Sequence, residues 1–314
     1  MGRLDLDRVR AAAAVIDPVF LGSPQYECGP LGAALGCSVT LKVETLNPVR
    51  SFKGRGTETV VAQLEQPTGL ICASAGNLGQ ALAYSGVRRG IPVAVVAGRS
   101  ANPLKIERIR SLGGTVVIEG EDIDDARGYA RAVAERDGLR LVEDSLDIGT
   151  CEGAATIGLE LLGEPVDALV IALGGGALAS GVGYVARQLH PDVEVIAVQP
   201  LGAPAMALSW RAGAVVETDT IRTIADGVAG RCPIPEVLTD LLAVLDDVLL
   251  VGEDSIVAGM RLLYRHAGLV VEPSAALGVA AVLENRERFA GRRVATVVCG
   301  SNVMTDDFER WVTG

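Results

Sequence analysis

An α/β protein of two three-layer αβα lobes, each built on a mainly parallel twisted sheet, is what this sequence predicts. Three observations carry that expectation. The 314 residues exceed what one hydrophobic core usually organises, and a hydrophobic content of 49% is enough to bury two. From Gly69 onward, short apolar runs alternate with helix-length amphipathic segments, the rhythm of strand–helix–strand crossovers. That rhythm breaks and restarts after the loop at 144–150, which suggests a second lobe.

Each element follows from its pattern. Residues 39–46 alternate as a strand, Asn47-Pro48 breaks it, and a helical pattern resumes at Val60, Val61 and Leu64. Strands at 70–73, 92–97, 115–118 and 141–142 are then separated by helices at 77–89, 103–112 and 122–137. After the break come helix 152–162, strand 166–173, helix 177–189 and strand 193–198. The Pro- and Gly-rich joints at 199–204 and 231–235 read as surface loops. Strand 248–251, helices 254–266 and 274–285, and strand 294–299 complete the fold, with no internal repeat and no low-complexity tract.

Charge and composition exclude several function classes. A formal net charge of −11, with arginines scattered among acids, disfavours nucleic-acid and membrane partners. No stretch of about 20 residues is free of charges or helix breakers, and acids stand where a secretory leader would be basic, so a cytoplasmic protein is expected. The six cysteines form no CxxC pair and only two histidines exist, so neither zinc nor structural disulfides are expected.

Four places along the chain invite chemistry. Lys53 falls where a helix should begin, a position at which the macrodipole disfavours a cation; an imine with a carbonyl cofactor would give it a role. The plain alternative is a solvated surface lysine. Gly174, Gly175 and Gly176, with Ala177 and Leu178, join a buried strand to a helix and can cradle a phosphate through unhindered backbone N–H groups. Read as a dinucleotide fingerprint, the same loop lacks the acid about 20 residues on, where the next strand ends at Gln199; tight helix–sheet packing is the structural alternative. Ser74, Ala75, Gly76 and Asn77 form a second strand-to-helix turn suited to a carboxylate, although Ser and Asn are also ordinary helix caps. Cys299 ends an apolar strand and by itself reads as a small buried residue.

Taken together these residues resemble the pyridoxal-phosphate (PLP) enzymes of fold type II, the tryptophan synthase β-like group, and within it the serine/threonine dehydratases. The resemblance spans nearly the whole chain through KVETLNPVRSFKGRG (42–56), ASAGNLGQALAYS (73–85), TIGLEL (156–161), LGGGALASG (173–181), TIADGVA (223–229), VEPSAA (271–276) and VVCGSN (297–302). It implies that Lys53 is the Schiff-base lysine and catalytic acid/base. It also implies that Phe52 lies against the cofactor ring, that Asn77 faces the ring hydroxyl, and that Gly174 to Leu178 bind the phosphate. Ser74, Ala75, Gly76 and Asn77 would meet the substrate, and Cys299 would sit beside the pyridine nitrogen. The resemblance further implies that residues 1–68 plus 146–314 form a large phosphate-binding domain and 69–145 a small substrate-side domain, and that the protein is a homodimer. The implied reaction is α,β-elimination of a 3-hydroxy amino acid such as L-serine or L-threonine to a 2-oxo acid and ammonia, with the cofactor phosphate protonating the departing hydroxyl.

Particular residues refine that expectation. A neutral Cys299 thiol enforces no pyridinium, giving a weaker electron sink that favours elimination over transamination. Ala75 stands where racemases of the group resemble a serine, so racemisation is not expected; Gln199 and Ala205 stand where two acids would bind a divalent ion, so no metal is expected. Ala177 replaces a fourth glycine, and the segment from Cys151 to Thr156 departs from the commoner Gln-Gly-Thr form, leaving the β-substituent open. The chain stops at Gly314, so feedback control through an appended effector-binding domain is not expected. Two alternatives stand beside this reading: a β-replacement synthase making cysteine, disfavoured by the Ser51-Phe52-Lys53-Gly54-Arg55 form, and a non-catalytic nucleotide- or cofactor-binding protein.

Overall fold

The computed structural model describes every residue except those at positions 1, 66, 100, 102 and 122. In chain order its strands are β1 (Gln25–Glu27), β2 (Ser38–Val43), β3 (Leu70–Ala73), β4 (Val93–Ala97), β5 (Thr115–Ile118), β6 (Arg140–Leu141), β7 (Ala168–Ala172), β8 (Glu194–Pro200), β9 (Asp247–Val251) and β10 (Arg293–Val298). The α-helices are α1 (Leu6–Val15), α2 (Gly29–Leu35), α3 (Lys53–Ala62), α4 (Asn77–Val87), α5 (Pro103–Ser111), α6 (Ile123–Asp137), α7 (Ile148–Leu161), α8 (Ala177–Leu189), α9 (Ala205–Ala212), α10 (Pro235–Val244), α11 (Glu253–Ala267), α12 (Leu277–Glu284), α13 (Arg286–Phe289) and α14 (Thr305–Val312).

Strands β5, β4, β3 and β6, in that spatial order and all parallel, make one sheet. Successive residues of a strand face opposite sides, and here both sides are apolar. Leu70, Cys72, Val93 and Val95 pack with Leu78 and Leu82 of α4 and Ile109 of α5, whereas Ile71 and Val96 pack with Ala126, Ala130 and Ala134 of α6. Burial on both faces is why these strands read as unbroken apolar runs. The second sheet runs β1-β2-β10-β7-β8-β9, parallel throughout except for β1, which lies antiparallel to β2 at one edge. Among the described residues no helix is long and apolar enough to cross a membrane.

Helices α3, α7 and α8 stack at backbone distance, and that stacking fixes where the site lies. A Cβ on Gly56 would sit 2.8 Å from the Thr150 carbonyl oxygen, one on Gly153 2.3 Å from the Arg55 carbonyl oxygen, and one on Gly181 2.5 Å from the Cys151 carbonyl oxygen. Only glycine allows such approach. Beneath it, the wholly buried Arg55 guanidinium pairs with Glu44 at 2.8 Å and Glu160 at 2.7 Å and donates to Thr156 Oγ1 at 3.0 Å. Lys42, also buried, reaches the same Glu160 at 2.5 Å. Burial alone would raise the Glu160 carboxyl, but hydrogen bonds and charge from Arg55, then Lys42, hold it at about 2. The network ties the end of β2 to α3 and α7, and so sets the height of Lys53 against the rest of the larger lobe.

The differences from the sequence expectation have physical reasons. Helix α7 starts at Ile148, four residues before the expected start, because Asp147 closes the turn by accepting the Glu143 N–H at 2.7 Å. The joint at 199–204 is not all surface loop: Gln199 and Pro200 finish β8 in the interior, and Gln199 Oε1 accepts the Ala207 N–H at 2.8 Å. The helix expected at 274–285 begins as a 3-10 turn, Pro273–Ala276, before α12, and the expected start of α6 at Asp122 lies outside the described residues. Helices α1, α2, α9, α10 and α14 were not legible as periodic apolar runs; each is short and several are Ala- or Gly-rich.

Candidate active site

Three helices, α3, α4 and α8, begin around a single cavity of about 760 Å³. Phe52, Lys53, Ser74, Ala75, Gly76, Asn77, Gly174, Gly175, Gly176, Ala177, Leu178 and Cys299 all line it. Residues separated by as many as 247 positions are therefore neighbours (52 to 299). The α5 and α6 side contributes Lys105, which pairs with Asp226 across the opening.

Lys53 is the first residue of α3, with Phe52 as the preceding cap. Its Nζ lies 4.6 Å from the centre of the Phe52 ring and 2.5 Å from Asp144 Oδ2, and its side chain is largely buried. The carboxylate answers the dipole penalty noted for a cation in the first turn of a helix. A solvated surface lysine is thus not what the fold contains.

The glycine turn leaves β7 and enters α8 at a left-handed Gly176 (φ 107), where a Cβ would also meet Val237 Cγ1 at 2.4 Å. A Cβ on Gly174 would be 3.0 Å from Val228 Cα and one on Gly175 3.3 Å from Asp144 Oδ2. Ala177 is the first residue of α8, so its methyl sits on helical backbone and does not close the turn. Its N–H donates to Ser145 Oγ at 3.0 Å.

Just before α4, Ser74 Oγ accepts the Gly76 N–H at 3.3 Å in a local serine turn; the capping residue of α4 is Gly76, and no side chain caps the helix, so the helix-cap alternative for Ser74 and Asn77 does not hold. Asn77 is held at both ends: its Nδ2 donates to Glu272 Oε1 at 2.9 Å and its Oδ1 accepts from Asn302 Nδ2 at 2.6 Å. Glu272 in turn accepts the Asn302 N–H at 3.0 Å and is fully buried, which raises its carboxyl above the ordinary range. Asn77 retains a second Nδ2 hydrogen for a ligand. Cys299 is buried at the end of β10; desolvation raises its thiol, the Glu272 charge adds, and Lys53 only partly opposes, so it stands as a neutral S–H.

Sequence reasoning missed three residues here, Asp144, Glu272 and Ser274. Ser274 Oγ is buried on the cavity wall with no hydrogen-bond partner among the described residues. Asp144 and Ser145 lie in the turn before α7, and an Asp-Ser pair ahead of an apolar helix looks like capping in one dimension. Glu272 is flanked by Val271 and Pro273, a Pro-marked turn that gives no hint of burial.

Comparison with known proteins agrees with this geometry. The family model described as "Pyridoxal-phosphate dependent enzyme" matches residues 16–300. The chain is 34% identical to the L-threonine ammonia-lyase of Thermotoga maritima over 98% of its own length and 78% of that protein's. It is 30% identical to a serine racemase of Oryza sativa subsp. indica, over 95% of this chain and 91% of that one. Among solved structures, the processed threonine deaminase isoform 2 of Solanum lycopersicum superposes with a TM-score of 0.90 at 29% identity, covering 99% of this chain and 94% of that one. On the family match and on these identities, the chain belongs to the pyridoxal-phosphate-dependent enzymes of fold type II, in the serine/threonine dehydratase group.

Proposed function

We propose that this protein catalyses the α,β-elimination of a 3-hydroxy amino acid such as L-serine or L-threonine to a 2-oxo acid and ammonia. One observation carries the reading: a single carboxylate oxygen, Asp144 Oδ2, lies 2.5 Å from the Lys53 amine and 3.3 Å from the Cβ position of Gly175. The amine and the glycine cradle therefore stand close enough for one small molecule to engage both. The residues fit pyridoxal phosphate on the structure's own terms: a cradle that side chains would fill, a neutral thiol at one wall, an aromatic ring beside the amine, and the orphan Ser274 hydroxyl.

In this reading Gly174 to Leu178 hold the phosphate, with α8 supplying first-turn amides and the positive end of its dipole. Lys53 would hold the cofactor covalently, Phe52 would lie against its ring, Asn77 would donate to the ring hydroxyl and Cys299 would serve the ring nitrogen. When bound, the cofactor supplies an electron sink for the substrate α-carbon. Ser74, Ala75 and the amides around Gly76 bind the substrate carboxylate at the start of α4. Lys53, as free amine, would take the α-proton from its largely buried position on the cavity wall. The neutral Cys299 gives the ring nitrogen no anionic partner, which keeps the sink modest and the electron pair directed toward loss of the β-substituent. Residues 1–68 plus 146–314 thus serve the cofactor phosphate and 69–145 the substrate, in a cytoplasmic homodimer.

Ala75 separates this reading from racemisation, which the similarity to serine racemases makes the natural competitor. Its methyl lines the cavity and has no proton to deliver to the opposite face of the α-carbon. Incubation with L-serine should release 2-oxo acid and ammonia in equal amounts, while chiral analysis of the remaining serine finds no D-isomer. Accumulation of D-serine at a rate comparable to ammonia would overturn the proposal, and cysteine formation on adding sulfide to an activated serine would favour the synthase.

A further inference from the structure

The glycine cradle is backed on two sides by residues that do not meet the cavity as ligands. On one side the wholly buried Ser145 accepts the Ala177 N–H on Oγ at 3.0 Å, and the same Oγ lies 3.2 Å from the Cβ position of Gly175. On the other side α10 presses on Gly176, whose Cβ position is 2.4 Å from Val237 Cγ1 and 3.6 Å from Leu241 Cδ1. Where the cradle amides point is therefore set by where Ser145 and α10 stand. Ser145 has a φ of 66, and among the described residues Arg50 is the only other non-glycine residue with a positive φ. A side chain in the left-handed region is costly and persists only where its surroundings hold it. Here the Ser145 N–H donates to Thr150 Oγ1 at 2.9 Å, and its carbonyl accepts from Cys151 Sγ at 3.5 Å and from Arg3 Nη2 at 2.9 Å.

Arg3, just ahead of α1, joins the two sides. Its Nη2 and Nη1 donate to the carbonyls of Ser145 and Leu146, each at 2.9 Å, while Nε donates to Asp240 Oδ2 at 2.8 Å and the Arg3 backbone N–H to Asp240 Oδ1 at 3.1 Å. Asp240 is buried on α10, one turn beyond Val237, so the guanidinium that neutralises it also grips the Ser145 turn. We propose, on the phosphate-binding reading of the cradle given above, that Arg3 is a positioning residue of the cofactor site. It braces Ser145 against α10 and so keeps the amides from Gly175 to Leu178 aimed at the phosphate, without touching the cofactor. Arginine suits the task because its planar fork presents several donors in fixed directions, two for the carbonyls and one for the carboxylate; a lysine ammonium is a single point on a flexible stem. The effect of Arg3 is confined to the phosphate end, because Ser145 and Val237 contact the glycine turn at the start of α8. Ligands that carry a phosphate should feel its loss, and ligands that lack one should not.

The test is an absorbance titration of the cofactor-free, full-length protein with pyridoxal phosphate and, separately, with pyridoxal, which has no phosphate. In Arg3→Ala the affinity for pyridoxal phosphate should fall by roughly 10-fold, within the usual range of coupling between linked sites. The affinity for pyridoxal should stay within about 3-fold, a shift too small to be a lost contact. Arg89→Ala is the control, since Arg89 also pairs with a buried carboxylate, Glu58 at 2.7 Å, but contacts neither Ser145 nor α10. It should lower the melting temperature while changing neither affinity by more than about 3-fold. Arg3→Lys keeps a charge for Asp240 without the fork to the two carbonyls, so its affinity for pyridoxal phosphate should fall between those of wild type and Arg3→Ala. Should Arg3→Ala not fold, the Lys variant carries the same comparison of the two ligands. Equal losses for both ligands would make Arg3 a purely structural residue and overturn the proposal. So would wild-type affinity for pyridoxal phosphate in a folded Arg3→Ala, or the same selective loss in Arg89→Ala. If the wild-type protein binds pyridoxal phosphate no more tightly than pyridoxal, the phosphate reading of the cradle has itself failed and the proposal falls with it, an outcome separate from any effect of the variants.

Discussion

Replacing Arg55 with alanine should destabilise the protein by roughly 3–5 kcal/mol, the usual consequence of removing one partner from a buried ion pair. Arg55 has no solvent exposure and pairs with Glu44 and Glu160 together, so its loss leaves the buried Glu44 carboxylate without its cation and Glu160 with Lys42 alone. Lys42 still reaches Glu160 but not Glu44, among the contacts described. At this chain length the loss corresponds to a melting temperature lower by on the order of 10 °C. A surface arginine such as Arg136, paired with its exposed neighbour Asp137, is the internal control, and its replacement should leave the melting temperature essentially unchanged.

The same network gives the wild-type protein an acid limb whose sign follows from Glu160. Its folded pKa of about 2 lies below the ordinary carboxylate value, so its contribution is fully present above about pH 5. It is lost as the pH falls through the ordinary value toward 2. About two units of depression correspond to roughly 3 kcal/mol. In Arg55→Ala this limb should shrink, because the group that holds Glu160 ionised is gone. Melting temperatures of both proteins between pH 6 and about pH 2.5 would show the two curves converging in acid; parallel curves would contradict the assignment.

Lys53→Ala is the second large effect, and it is functional. Turnover of L-serine or L-threonine should fall by at least about 10³-fold, since in the proposed reaction Lys53 is both the covalent anchor and the base. The fold should survive, because the Lys53 side chain lines a cavity and supports no core contact of its own beyond Asp144 and the face of Phe52. Far-UV circular dichroism beside the kinetics separates loss of chemistry from loss of structure. Substantial turnover in a folded variant would remove Lys53 from the mechanism.

Much of this was legible in the sequence because local rules and the fold agree. Lys53 begins a helix, Gly174 to Gly176 form a strand-to-helix turn, and Asn77 opens α4, each at the position its neighbours dictate. Strands β3 and β4 read true because both their faces are buried and their residues are uniformly apolar. What sequence could not carry is contact across distance. Asp144 and Ser145 gain meaning only when α7 brings their turn against α3 and α8, and Glu272 only when it lies under Asn77, 195 positions away. The buried end of β8 was missed for a related reason, since Gln199 and Pro200 look like loop residues until Ala207 supplies the partner.

The central claim is that the amine of Lys53 and the glycine cradle together hold one molecule of pyridoxal phosphate. Borohydride reduction of the cofactor-loaded protein, followed by peptide mass mapping, tests it most directly. The account predicts loss of the visible absorption and a single added cofactor mass on the peptide containing Lys53, with none on Lys42 or Lys105. An unmodified Lys53 peptide, or the mass on another lysine, would contradict it.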